Sequence, residues 1–339
     1  MSAPAPGMHS RDALGVAARL GLLMGRPNTE VFSETLLELA RADRSILAVT
    51  SDSRGSGKLT AFGTELPDQT VEVGIAEQDL VGVAAGLSNA GMNVFAVSPA
   101  CFLTARALEQ IKNDVAYSDR AVTLVGISAG VSYGALGTTH HSLHDFAALR
   151  AVNNIVVVAP ADNPEARFAV LAAAASPVPV YLRFGKASLF TLPVGDAAFA
   201  FGRARVVRPG NDLAFLATGE TVIHALLAAA MLAETAGLDC RVVSIPTVKP
   251  LDSGAVLAAA RECRAVVTVE EHMVNGGLGE ACASVVARAG EACALAIVGV
   301  PDEYTFTGSQ ADIFRHYGIS MEGLCATALS LKGRPGASA

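Results

Sequence analysis

One glutamate lies where the apolar face of a predicted helix begins. Glu77 precedes Leu80 by three residues, and apolar residues at helical spacing extend the same face at Leu80, Val83, Ala84 and Leu87. A carboxylate on a buried face needs a partner, because an isolated charge is costly to remove from water. The residues leave two interpretations open. Either the acid stabilises a helix N-terminus through the macrodipole, or it is directed at a basic nitrogen of a ligand.

Two polar, glycine-rich segments follow predicted buried strands. Asp52 follows the strand predicted at 45–50, and His140 lies in the segment 128–145 after a second predicted strand. Open α/β sheets bind ligands at the carboxyl ends of their strands, so both segments are candidates for a site, although the first is equally typical of a flexible surface loop. The second segment has three histidines within five residues, but no acidic or cysteine cluster nearby completes a ligand set. We therefore predict no metal site and favour proton transfer.

Two further side chains have both a structural and a functional interpretation. Phe102 follows a predicted strand at its turn into a helix, where it either fills the core or offers an aromatic face to a flat ligand. Arg183 is in the predicted strand 178–184. It is compatible with a surface ion pair and with two-pronged binding of an anion.

Strands and helices alternate along the chain, which predicts an α/β fold with two successive parallel-sheet domains. We place an N-terminal extension at residues 1–28, the first domain at 29–192 and the second at 198–332, with a boundary at 192–195. Within the extension, we expect a short helix over 12–24.

Composition excludes several classes of protein. The 339 residues carry a net charge of −7 without a basic run, which gives no support to nucleic-acid binding. No segment offers about 18 uninterrupted apolar residues, so we expect no membrane span. The six cysteines form no close pair, which indicates neither a zinc site nor a secreted disulfide framework. A cytoplasmic protein is the expectation.

Four segments together resemble the transketolase family of thiamine-diphosphate enzymes, to which the 1-deoxyxylulose-5-phosphate synthases also belong. Val-Gly-Ile-Ala-Glu-Gln at 73–78, the segment 102–113 and Gly-x-Thr-His at 137–140 resemble the pyrimidine-binding domain of that family. Glu-Glu-His and Gly-Gly-Leu-Gly within 270–279 resemble its C-terminal domain. The resemblance covers about residues 30–330 and implies these two domains in this order.

The resemblance implies a role for each candidate residue. Glu77 would hydrogen-bond the aminopyrimidine ring nitrogen and promote the amino–imino shift that lets the cofactor deprotonate its own thiazolium carbon. Phe102 would stack on the pyrimidine, and Asp52 would lie near the cofactor. His140 would contact cofactor and substrate oxygens, and Arg183 would bind a substrate phosphate.

Two positions depart from the family pattern. Leu136 stands where transketolases usually have an aspartate that contacts a substrate hydroxyl, and Ser128 stands where they often have a histidine. A leucine disfavours an unpaired polar group. The resemblance therefore implies a changed sugar specificity and leaves the particular ketose and aldose unassigned.

The resemblance also implies a partner chain. Full-length transketolases carry a diphosphate-binding domain with Gly-Asp-Gly and an asparagine motif for a divalent metal, whereas the one Gly-Asp pair here is Gly195-Asp196, followed by alanines. We expect the C-terminal subunit of a split transketolase, self-dimerised within a heterotetramer. An N-terminal subunit would hold most of the diphosphate and Mg²⁺. The enzyme would transfer a two-carbon ketol unit from a ketose, expected to be phosphorylated, to an aldose.

Two alternatives stay open. The chain is also compatible with a β subunit that resembles deoxyxylulose-phosphate synthase or decarboxylates an oxo acid. The other alternative is a non-catalytic scaffold, in which Glu77 only favours the start of a helix.

Overall fold

A computed structural model of the chain describes residues 7–193 and 199–331. Some predicted features lie outside the described residues. They are the Gly195-Asp196 pair, part of the predicted boundary at 192–195, and residues 198 and 332, which end the predicted second domain.

The first half of the chain supplies six strands of a seven-stranded sheet with helices on both faces, and its first and last strands pair in a separate two-stranded sheet. Its helices and strands are α1 (Arg11–Arg19), β1 (Met24–Pro27), α2 (Asn28–Ala42), β2 (Ile46–Thr50), α3 (Thr60–Glu65), β3 (Thr70–Glu72), α4 (Glu77–Asn89), β4 (Asn93–Pro99), α5 (Ala100–Arg106), α6 (Leu108–Gln110), which continues as a π-helix (Ile111–Tyr117), β5 (Val122–Ile127), α7 (Asp145–Ala151), β6 (Val156–Val158), α8 (Asn163–Ala174), β7 (Val180–Arg183) and β8 (Ser188–Phe190). The central strands are buried along their whole length, as expected of a parallel sheet covered on both sides.

The second half builds a five-stranded sheet with the order β14-β13-β10-β11-β9. Its elements are β9 (Arg205–Arg208), β10 (Leu213–Ala217), α9 (Val222–Ala236), β11 (Cys240–Ser244), β12 (Thr247–Lys249), α10 (Ser253–Glu262), β13 (Ala265–Met273), α11 (Leu278–Arg288), β14 (Ala294–Val300), α12 (Gln310–His316) and α13 (Met321–Leu331). Four of its strands are parallel, and β9 at the edge is antiparallel. The prediction of two α/β domains with mostly parallel sheets is confirmed.

One strand of the second half belongs to the first sheet. The order of that sheet is β12-β6-β7-β5-β4-β2-β3, and β12 pairs antiparallel with β6 at its edge. Backbone hydrogen bonds therefore join the two halves, which positions loops of the second sheet against loops of the first.

The N-terminal segment differs from the expected helix over 12–24. α1 ends at Arg19, and Gly21 adopts a left-handed conformation (φ 66°) while the amide of Leu22 donates to Ala17 O at 3.0 Å. This arrangement closes a helix C-terminus, and the chain continues into β1. The apolar side of α1 packs against α9 of the second half.

α4 begins at Glu77, as the apolar spacing predicts. Its buried face comprises Glu77, Leu80, Val81, Ala84 and Ala85. The prediction was wrong for Val83, which is 37% exposed, because the face that meets the sheet is rotated toward Val81 and Ala85.

Candidate functional site

The candidate residues lie at one edge of the seven-stranded sheet. β2, β4 and β5 are neighbours, and the segments that follow their carboxyl ends carry Asp52, Phe102 and His140. This edge is where open α/β sheets bind ligands.

Glu77 is buried at the start of α4, with 4% of its surface exposed. Among the described residues, Arg106 provides its one side-chain hydrogen bond, from Nη1 to Oε2 at 2.9 Å. Both side chains line an open cleft with Ile75, Ala76 and Gln78. The second carboxylate oxygen, Oε1, therefore stays available to a ligand.

Arg106 is a site residue that sequence reasoning missed. Its guanidinium carbon lies 4.3 Å from the centroid of the Phe102 ring, so one guanidinium contacts both Glu77 and Phe102. The available signal was spacing, because Phe102 and Arg106 are four residues apart on α5 and such residues are neighbours on a helix.

The structure brings Phe102 and His140 together. Their ring centroids are 5.3 Å apart in an edge-to-face arrangement, and Tyr133 approaches His140 from another side at 5.4 Å. Thr139 Oγ1 lies 3.0 Å from His140 Nδ1 and helps to orient the imidazole. An aromatic face and a titratable ring thus share one wall of the site.

The other two histidines of the segment have separate partners. His141 is buried between Thr305 Oγ1, 2.6 Å from Nδ1, and Gly134 O, 3.1 Å from Nε2. Burial is the main cause that lowers the pKa of His141. His144 Nε2 lies 3.4 Å from Thr104 Oγ1. The three imidazoles therefore do not converge on one point.

Asp52 lies on the loop after β2, exposed and with a positive φ of 53°. Its amide donates to Glu72 Oε1 at 2.7 Å, and the amide of Gly74 donates to the same oxygen at 3.0 Å. Glu72 thereby connects the Asp52 loop to the segment that leads into Glu77.

Arg183 is buried between the two halves and is 6% exposed. Its Nε donates to Asp145 Oδ2 at 2.7 Å, and its Nη2 donates to Ser142 O at 3.2 Å and Glu271 O at 2.8 Å. Burial opposes ionisation of Asp145, yet the charge of Arg183 holds the pKa of Asp145 below its usual value. Because the protein's own acceptors engage this guanidinium, its position does not favour the predicted contact with a substrate phosphate.

A second acid at the same interface interacts with Glu271. Gln310 Nε2 donates to Glu271 Oε1 at 2.8 Å and to Glu220 Oε2 at 3.2 Å. Burial, followed by the charge of Glu271, raises the pKa of Glu220. A Cβ at Gly130 would lie 2.1 Å from the carboxyl carbon of Glu271, and one at Gly185 would lie 2.1 Å from Glu220 Oε1. The two carboxyl groups therefore lie directly against the backbone at these glycines.

Lys186 offers a cation that sequence reasoning also missed. Its ammonium lies 4.5 Å from the centroid of the Tyr133 ring, and Tyr133 in turn contacts His140. Partial burial, followed by repulsion from Lys58, lowers the pKa of Lys186. Lys58 pairs with Glu30 at 3.1 Å, whereas Lys186 is exposed and therefore open to an incoming anion.

The two positions that depart from the family pattern differ in exposure. Leu136 is 54% exposed on the loop that precedes His140. Ser128 is fully buried with φ 53°, and its Oγ has no hydrogen-bond partner among the described residues. Of the two, Leu136 is therefore the side chain that an incoming ligand can reach.

The fold and the site define a class of protein. Residues 26–191 match the family described as the transketolase pyrimidine binding domain, and residues 202–324 match the transketolase C-terminal domain. The chain belongs to the transketolase family, as its motifs predict.

Individual relatives agree with this membership. The chain is 48% identical over 299 residues to an apulose-4-phosphate transketolase subunit of Phocaeicola vulgatus, covering 88% of this chain and 95% of that protein. It is 37% identical over 304 residues to the 1-deoxy-D-xylulose-5-phosphate synthase of Thermomicrobium roseum, covering 89% of this chain and 48% of that protein. A solved structure, described as a split gene transketolase in an inactive beta4 tetramer, superposes with a TM-score of 0.82 at 34% identity over 91% of this chain and 99% of that one.

These likenesses confirm the prediction that the chain is a subunit of a split transketolase, and hence of a transferase. The roles of the individual site residues stay predictions. None of the described helices combines the length and the apolarity needed to cross a bilayer.

Proposed function

We propose that this chain is the catalytic subunit of a two-chain transketolase that moves a two-carbon ketol unit from a phosphorylated ketose to an aldose. The observation that carries the proposal is the buried carboxylate of Glu77. It is held on one oxygen by Arg106 and borders an open cleft beside an aromatic ring. A non-catalytic scaffold would not require a buried carboxylate with one oxygen free to accept a hydrogen bond.

The residues present fit the aminopyrimidine of thiamine diphosphate. Glu77 Oε1 is available to a ring nitrogen, and Phe102, which carries the Arg106 guanidinium on one face and lines a cavity, leaves its other face for a flat ring to stack on. When bound, thiamine diphosphate supplies the electron sink for carbon–carbon cleavage. The chain contributes proton control: Glu77 holds a proton at the ring nitrogen, and His140 exchanges protons with substrate oxygens. Asp52, on the adjacent loop, completes the side of the site that faces the cofactor.

We place most of the diphosphate and Mg²⁺ on a partner chain. Glycine and asparagine motifs of the diphosphate-binding domain are absent from this sequence, and a relative named as one subunit of a transketolase is matched over 95% of its length. A self-dimer within a heterotetramer is our proposed assembly, and the similar solved structure, described as a tetramer, supports self-association. All six cysteines are free thiols, as is typical of a reducing cytoplasm.

The first experiment is a calorimetric titration of thiamine diphosphate with Mg²⁺. It is performed on this chain alone and then on the chain co-purified with the product of its neighbouring gene. We expect binding in the mixture and none to the isolated chain. Tight binding to the isolated chain would show that it has its own diphosphate site, and absence of binding in both samples would favour the scaffold.

A β subunit of a synthase that consumes an oxo acid is the second candidate, supported by the 37% identity to a deoxyxylulose-phosphate synthase. The two chemistries are separated by supplying the complex with pyruvate. Release of CO₂ would favour the synthase, whereas ketol transfer without gas release supports the transketolase.

Lys186 is the proposed contact for the substrate phosphate, in place of Arg183. We expect Lys186→Ala to raise KM for a phosphorylated ketose by about 10- to 100-fold, because a charge-assisted hydrogen bond contributes roughly 1.5–3 kcal/mol. The value of kcat should change little. Steady-state kinetics of the complex measures both constants, and Arg264→Ala, which removes an exposed cation elsewhere, is the control. An unchanged KM would remove Lys186 from the site.

A further inference from the structure

A loop of the second half lies directly on the loop that carries His140. This C-terminal loop, residues 301–309, connects β14 to α12. Thr138 Oγ1 donates to Thr305 O at 3.0 Å, and His141 Nδ1 lies 2.6 Å from Thr305 Oγ1. Thr305 of the second half thus contacts two residues close to His140, namely Thr138 and His141.

The protons of this contact can be assigned. Gly134 O only accepts, so the proton of the neutral His141 ring lies on Nε2, and Nδ1 accepts from the hydroxyl of Thr305. The lowered pKa of His141, caused mainly by burial, agrees with a neutral ring. Thr305 is therefore a specific donor and acceptor in this interface.

The two loops also approach each other through their backbones. A Cβ at Gly134, where φ is 45°, would lie 2.7 Å from Gly308 O, and one at Gly137, where φ is 72°, would lie 3.1 Å from Thr307 Oγ1. Glycine allows both the positive φ and the close contact. The backbone of the C-terminal loop is therefore packed closely against the loop that carries His140.

A cavity of about 280 Å³ lies between the C-terminal loop and the first domain. Its walls include Phe102 and Thr139 on one side and Glu303 and Tyr304 on the other. Tyr304 is 89% exposed. Partial burial, followed by the neighbouring Glu303, raises the pKa of Tyr317 to about 12. A cavity lined by an aromatic side chain, a carboxylate and threonine hydroxyl groups suits a polyhydroxylated carbon chain.

We propose that this cavity is a sugar subsite, in which the C-terminal loop binds the part of the sugar that is not transferred. Glu303 accepts hydrogen bonds from sugar hydroxyls, and Tyr304 packs against the carbon chain. The inference rests on the proposed function and deepens it, because the transferred two carbons occupy the region beside Phe102 and His140. The remainder of the sugar then extends past Thr139 toward the second domain.

The test uses the complex of this chain with its partner and the variants Glu303→Gln and Tyr304→Ala. We expect KM for the ketose donor and for glyceraldehyde 3-phosphate as acceptor to rise about tenfold in each variant. We expect kcat and the affinity for thiamine diphosphate, measured by calorimetry, to stay within about twofold. Tyr117→Ala removes another highly exposed tyrosine and should leave all four quantities unchanged.

Three results would overturn the subsite. One is wild-type KM values in both variants, and the second is a loss of cofactor affinity that parallels the rise in KM. If the wild-type complex transfers no ketol unit, the proposed function fails, and direct titration of glyceraldehyde 3-phosphate into the complex then decides the subsite. Tenfold weaker binding by the variants would support it. Equal binding by all proteins, or no binding to any, is the third result against it.

Discussion

Replacing Glu77 by glutamine is expected to lower kcat of the reconstituted complex by about 10²- to 10⁴-fold, the range attributed to a positioned general acid or base. The amide keeps the shape of the side chain and its contact with the cleft. It cannot carry the negative charge that stabilises a protonated ring nitrogen. Steady-state ketol transfer measures the loss, and thermal unfolding checks that the variant remains folded.

The control for this variant is Glu280→Gln. Glu280 is an exposed acid in the first turn of α11, where it accepts from the amide of Gly276 at 2.7 Å. If Glu77 acts only through the helix macrodipole, both substitutions should lower the free energy of unfolding by a similar small amount, about 0.3–1 kcal/mol, and should leave kcat unchanged. Wild-type activity in the Glu77→Gln complex would support the scaffold and end the catalytic proposal.

Substitution of Arg183 by methionine is expected to lower the free energy of unfolding by about 3–5 kcal/mol, as is typical when one partner of a buried ion pair is removed. Asp145 is fully buried and would lose its cation, while the carbonyl oxygens of Ser142 and Glu271 would lose a donor. The Tyr181 hydroxyl, which donates to Asp145 at 2.8 Å, remains but does not replace the charge. Chemical denaturation of the isolated chain measures the change.

Arg41→Met is the matched control for Arg183→Met. Arg41 pairs with Glu65 on the surface, where both side chains are about half exposed, and such pairs contribute roughly 0–1 kcal/mol. A stable Arg183→Met variant whose only defect is a higher KM for a phosphorylated sugar would contradict the structural role. That result would restore Arg183 as the phosphate ligand.

The two arginines show why residue type alone did not assign roles. Arg183 and Arg106 are both cations close to predicted site segments, and the sequence favoured Arg183 for its resemblance to a family position. Their environments differ, since Arg183 is surrounded by carboxylate and carbonyl acceptors, whereas the Arg106 side chain is half exposed at the cleft. Burial and the identity of long-range partners distinguish the two environments, and neither is a local property of the sequence.

The sequence by itself determined the alternation of strands and helices, the start of α4 at Glu77 and the segments that would meet at one sheet edge. These features depend on periodicities of two and 3.6 residues and on short motifs, which are local. Two local features were misplaced: the rotation of α4, which exposes Val83, and the end of α1, which comes at Arg19.

Only the tertiary structure decided which distant residues complete the site. Arg183 meets Glu271 across 88 residues, and Thr305 meets His141 across 164 residues. β12 joins the first sheet although its neighbours in sequence belong to the second. Contacts of this kind depend on how the two sheets pack and on which backbone groups approach each other, and the order of residues within one segment does not encode that arrangement.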